Sequence, residues 1–249
     1  MNLGNNSFSE PQCIADAFAQ FFSSVFEKST SVDENLRYEG DFVFPIVTEE
    51  NVRLSIKKLK PKKATGVDNV PPYIYKGCID IFVKPLVHIF NLSIKTSTYP
   101  SLLKNSVISP IPKAGKTQNN IEHYRPITIL NSLAKIYETI LCEQLLKYFY
   151  SSFSDQQHGF LPDRSTVTNL CLLTCRASEA INNKKQLDVI MTDCTKAFDK
   201  VDHGLLIKKL SKFNFSRSAY MLIKSYLDSR KLQVKVGKCL SSDFHVTSG

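Results

Sequence analysis

Asp193 closes a short apolar run, Leu187-Asp188-Val189-Ile190-Met191-Thr192-Asp193, and an aromatic residue, Phe198, follows five positions later. A carboxylate held at a strand's end beside open space suits a divalent cation bound through oxygen. Leu187, Val189 and Met191 alternate as one face of such a strand. Asp202 stands where a helix N-cap belongs, ahead of Leu206, Leu210 and Phe213 at helical spacing. The expected order is strand, acid, turn, helix. The bland alternative is an Asp that ends a strand and another that caps a helix. A third reading is a metal-dependent nuclease built from Asp188, Asp193, Asp199 and Asp202. Strand alternation argues against it, since Asp188 lies at the far end of the strand and Asp202 is expected to be spent on capping.

Basic side chains form the second set. Residues 107–116 read as a strand entering a turn, and residues 123–130 supply a second strand after a polar loop. The hairpin carries Lys113 and Arg125, a point charge and a planar fork that both suit phosphate. Thr48 caps a helix that buries Val52, Ile56 and Leu59 and turns Arg53, Lys57, Lys58 and Lys60 outward, with Lys62 and Lys63 beyond Pro61. The loop Gln157-His158-Gly159-Phe160-Leu161-Pro162-Asp163-Arg164-Ser165-Thr166 is a tight turn with Ser165 or Thr166 as the next cap. For any one of these segments a solvated basic face is the alternative.

The elements that must position these groups are readable from periodicity. Ile14, Phe18, Phe21, Phe22, Val25 and Phe26 predict an amphipathic helix whose aromatic face must pack on this domain or on a neighbour. Leu133, Ile136, Tyr137, Ile140, Leu141, Leu145 and Tyr148 predict a long helix, and Tyr220, Ile223 and Leu227 a later one. Residues 231–236 alternate as a strand, with 243–247 pairing back. The 249 residues carry a formal charge of +9, a balance that favours a polyanionic partner. The N-terminus is polar, without a signal peptide, and no apolar run is long enough to span a bilayer. Seven scattered cysteines point to free thiols in a reducing, intracellular compartment, nucleus or cytoplasm, with Cys171 and Cys175 as core residues of a helix.

The string "DCTKAFDKVDH" resembles the first carboxylate motif of reverse transcriptases of non-LTR, LINE-type retrotransposons, in a jockey-like form. Three further blocks join it: "LKPKKATGVDNVPP", then "IPK" with "YRPI", then "QHGFLPDRST". The last departs from the family word at Leu161, often Arg, and at Asp163, usually Gly. Sequence decay and a tolerant lineage both explain that departure. The resemblance implies an RNA-directed DNA polymerase working on an RNA template, a DNA primer and dNTPs with two magnesium (or manganese) ions. It assigns Asp193 and the Cys194 main-chain carbonyl to metal, and Lys113, Arg125, Lys196, Ala197 and Phe198 to the nucleotide, Phe198 as the steric gate under the sugar. It assigns Lys57, Lys62, Lys63, Gly159, Phe160 and Arg164 to nucleic acid. The implied fold is α+β: residues 1–46 an extension or linker, 47–186 helix-rich fingers with a β-hairpin, and 187–249 the first part of an antiparallel palm sheet. The downstream aspartates expected of the family are not in the sequence, so an incomplete polymerase, inactive alone, is expected, lacking the C-terminal palm and thumb and an upstream endonuclease. The alternative is a nucleic-acid-binding fragment without chemistry.

Overall fold

The computed structural model describes residues 1–4, 6–30, 40–61 and 65–249, so Lys62 and Lys63 lie outside the described residues. The chain divides into two compact units, residues 1–144 with 196–249, and residues 145–195.

In the first unit a short pair, β1 (Asn2–Leu3) and β2 (Asn6–Ser7), precedes α1 (Pro11–Ser23). Pro11 suits the first helical turn, where its missing N–H costs nothing. The helix lays Phe18 and Phe22 onto the sheet, into a core shared with Ile108, Ile121, Leu232 and Val234. Of the two packing partners left open for this aromatic face, the one found is this domain. The hairpin forms as expected: β3 (Asn105–Pro112) and β4 (Tyr124–Ile129) run antiparallel, with Val107 opposite Ile129 and Pro112 opposite Tyr124. The predicted strand over 231–236 is β5 (Lys231–Val236), and β6 (Cys239–Leu240) and β7 (Phe244–His245) fold back on it. β5 joins β3 in parallel, Asn105 beside Lys231. The sheet is therefore mixed rather than antiparallel, because the chain leaves β3's neighbourhood through a long crossover and returns in the same direction.

A helical layer completes this unit. Thr48 caps α2 (Glu49–Lys58) in a reciprocal box with Asn51, and Val52 and Ile56 are buried. α3 (Pro72–Gly77) leads to α4 (Ile79–Thr96), which continues through Pro85 and ends at Ser97 in the left-handed region. In α5 (Ser132–Phe149), Ile136, Tyr137, Ile140 and Leu141 point inward; Leu145 is half-buried and Tyr148 exposed. The Tyr137 ring stacks on Phe90 at 4.4 Å and on Tyr99 at 5.4 Å. Its hydroxyl donates to Ser93 Oγ at 2.8 Å, and burial pushes its pKa up to about 12. Gly66 meets the Asn131 backbone so closely that an added Cβ would sit 2.5 Å from its Cα.

The second unit begins within α5 and continues through a polar loop into α6 (Thr166–Asn182), capped by Ser165 with Thr168 at the third position. No residue of α6 is buried, and Cys171 and Cys175 are exposed rather than core. Their spacing along one helix was right, but no other element covers that face among the described residues. The predicted strand over 187–193 does not form: the segment has no ladder partner among the described residues, and Ile190 and Met191 are 89% and 85% exposed. An alternating pattern becomes a strand only when a neighbour satisfies its backbone N–H and C=O groups. Back in the first unit, the expected helices after Asp193 are α7 (His203–Leu210) and α8 (Arg217–Leu227).

Candidate nucleotide and nucleic-acid site

Lys113 ends β3. Its N–H donates to the His123 carbonyl at 2.8 Å and its Nζ to the Glu122 carbonyl at 2.7 Å, which fixes the side chain at the mouth of the hairpin loop. Arg125 stands on β4 opposite Ile111 and is exposed. Lys196 begins the turn after the 187–194 segment with φ +54, and its Nζ lies 5.6 Å from the centre of the Phe21 ring. These three cations line one groove of about 290 Å³, together with Phe21, Phe26 and Asp199. Three cations over an aromatic wall suit a ligand that is polyanionic at one end and apolar at the other. Ala197 and Phe198 follow Lys196 without lining the groove, and Phe198 is 70% exposed, so it is not a core residue.

The opposite face of the hairpin carries a second groove, of about 540 Å³, where Lys58 and Lys60 approach Ile111, Ile127 and Ile129. Alternation turns Pro126 to the first groove and Ile127 and Ile129 to the second, while Thr128 borders both and Arg125, of the same parity as Ile127 and Ile129, borders the first. Lys58 and Lys60 line the second groove, Lys113 and Arg125 the first. Lys58 is paired with Glu143, and the Lys57 carbonyl accepts from Lys76 Nζ at 2.8 Å.

Within the second unit, Arg164 donates to the carbonyls of Ser154, Asp155 and Gln157 at 2.9, 2.9 and 2.7 Å. Its guanidinium thus closes its own loop. Gly159 accepts from Gln157 Nε2 at 3.0 Å, while Phe160 is exposed with φ +63. Asp163 has φ +60, so the position where the family pattern has Gly does require the left-handed region, and Asp tolerates it. Asp193 and Cys194 are exposed in the segment that forms no strand.

Among the described residues no three His, Cys, Asp or Glu side chains come together to hold a metal ion. One carboxylate and one carbonyl fall short of the near-octahedral oxygen shell magnesium demands. The donor set present does not fit a pair of ions, and no step can be routed through them. Asp202 is spent as expected: it accepts from the Leu205 N–H at 2.9 Å as the α7 cap. Hydrogen bonds from the Thr30 side chain first, then from the Leu205 N–H, depress its pKa to about 2. The part played by residues 21–30 was not readable from the sequence. Aromatic spacing showed that α1 has a buried face, but not that Phe21 lines the groove from the far end of the chain.

The hairpin with its basic mouth lies beside a loop carrying Lys196. Residues 111–247 match the reverse transcriptase (RNA-dependent DNA polymerase) family, and the chain belongs to it. It is 33% identical over 223 residues to the RNA-directed DNA polymerase from mobile element jockey of Drosophila melanogaster, a match covering 88% of this chain and 24% of that protein. Against the probable RNA-directed DNA polymerase from transposon BS, also of Drosophila melanogaster, identity is 30% over 242 residues, covering 94% of this chain and 27% of that protein. The Pol polyprotein from the type-1 retrotransposable element R2 of Bradysia coprophila is 24% identical over 163 residues, 65% of this chain and 18% of that protein. The chain spans about a quarter of the length of the first two relatives.

Proposed function

We propose that the chain is the nucleotide-gripping part of an RNA-directed DNA polymerase of a jockey-like, non-LTR retrotransposon, with fingers over residues 47–186 and the start of a palm over 187–249. The observation that carries this reading is the convergence of Lys113, Arg125 and Lys196 on one groove, although hairpin and loop are far apart in sequence. On this reading they hold the triphosphate of an incoming dNTP. Phe198 gates the sugar. Lys57, Lys62, Lys63, Gly159, Phe160 and Arg164 meet the backbone of an RNA template and DNA primer. Asp193, with the Cys194 carbonyl, is this chain's share of the ligands for two magnesium or manganese ions. The other ligands, with the remaining palm, the thumb and an endonuclease, belong to parts of the whole protein beyond this sequence. The roughly fourfold greater length of the jockey relative supports that incompleteness. The donor set favours a second reading, a nucleic-acid-binding part without chemistry of its own.

Calorimetric titration of the chain with dGTP and with inorganic tripolyphosphate tests the grip. Lys113→Ala and Arg125→Ala should each weaken both ligands by roughly tenfold, the loss of one charge-assisted contact. Binding indifferent to both substitutions would remove the groove from the nucleotide reading.

A further inference from the structure

We infer that residues 21–30 form a strap that positions the 196–204 loop, and so sets how tightly the groove holds a nucleoside triphosphate. The inference rests on the nucleotide reading of the groove. Six contacts run along the strap in chain order. The Phe21 ring lies 5.6 Å from Lys196 Nζ. The Glu27 carboxylate pairs with Lys200 at 2.9 Å. The Glu27 N–H donates to Ser248 Oγ at 2.9 Å, and that hydroxyl donates to the Asp199 carbonyl at 2.7 Å. Ser29 Oγ accepts from the Gly204 N–H at 2.9 Å. The Thr30 N–H donates to the Asp202 carboxylate at 3.0 Å, and the Thr30 hydroxyl donates to the same carboxylate. Gly204 has no side chain where the Thr30 carbonyl presses in, so a Cβ there would displace the strap.

The loop needs such a holder. Lys196 adopts a left-handed backbone, uncommon outside glycine, and such a residue keeps that conformation only when its surroundings over-determine it. Lys196 is exposed, so its own packing does not hold it. The Phe21 ring supplies an attraction directed at the ammonium, and the bonds from Glu27 to Thr30 pin the turn and the first turn of α7 behind it. With the loop held, Lys196 faces the groove that Lys113 and Arg125 line from the hairpin. Residues 1–46 were expected to be an extension or linker carrying an amphipathic helix. Within that extension, the contacts make the stretch from Phe21 to Thr30 a wall and a brace of the groove.

Two substitutions in the full chain test this. Phe21→Leu keeps the apolar volume and removes the ring. Gly204→Ala leaves every strap side chain in place and pushes Thr30 away. Hydrogen exchange of amides 196–204, read without ligand, should accelerate in both variants. Tripolyphosphate affinity should fall roughly two- to fivefold in Phe21→Leu, the scale of a lost exposed cation–π contact. Unchanged exchange and unchanged affinity in both variants would overturn the strap, while a Lys113→Ala chain that still binds weakly would leave the groove reading intact. If Lys113→Ala has no effect either, the groove reading falls, and the exchange rates alone decide the strap.

Discussion

Phe198 is the residue whose surroundings say most about its work. A phenylalanine 70% exposed beside a cation-lined groove is not there to fill a core. On the proposed gate role, in a chain extended through the whole polymerase, Phe198→Val should admit ribonucleotides and leave deoxynucleotide use largely intact, because the space under the sugar would open while the phosphate contacts assigned to Lys113, Arg125 and Lys196 are untouched. The measurement is the ratio of rNTP to dNTP incorporation at matched folded fraction. A ratio equal to wild type would remove Phe198 from the gate. A buried phenylalanine would behave differently, losing about 3–5 kcal/mol of stability on truncation and all activity with it.

Among the elements, α5 shows how much of the fold rests on one helix face. Tyr137 is fully buried, stacked between Phe90 and Tyr99 and bonded to Ser93. Beside it Glu138 accepts from the Tyr99 hydroxyl at 3.3 Å and lies 3.7 Å from Arg230, and burial raises its pKa against the pull of that guanidinium. Tyr137→Ala should cost about 3–5 kcal/mol in urea unfolding, since the two stacked rings cannot collapse onto the gap. A loss under about 1 kcal/mol would mean the helical layer does not depend on this stack. The spacing of Ile136, Tyr137, Ile140 and Leu141 made this face readable beforehand, as Thr48 made the start of α2 and strict alternation made β5. These elements were readable because local pattern and tertiary partner agree. The 187–193 segment was not, because alternation says which side chains share a face and nothing about whether a neighbouring strand exists. The same limit hid the parallel pairing of β5 and the role of Phe21. The candidate groove was half readable: the motifs named Lys113, Arg125 and Lys196, and only the structure adds the aromatic wall beside them.

At the scale of the molecule, basic side chains line two grooves of the first unit. Binding of a short RNA–DNA hybrid should weaken steeply with salt, each neutralised phosphate adding ~0.7–0.9 to the slope of log affinity against log salt. Lys58→Ala with Lys60→Ala should lower that slope while leaving tripolyphosphate affinity unchanged, because these lysines line the second groove and not the one lined by Lys113, Arg125 and Lys196. A slope unmoved by the pair would take nucleic acid off that face. The pairing of β3 with β5 has a consequence of another kind. During synthesis α1 leaves the ribosome well before β5, the strand it covers. At ~5–20 residues per second the aromatic face of α1 waits many seconds for its cover, and β3 waits nearly as long for its second neighbour. The sheet therefore assembles late, once β5 has emerged to join β3 and to cover α1.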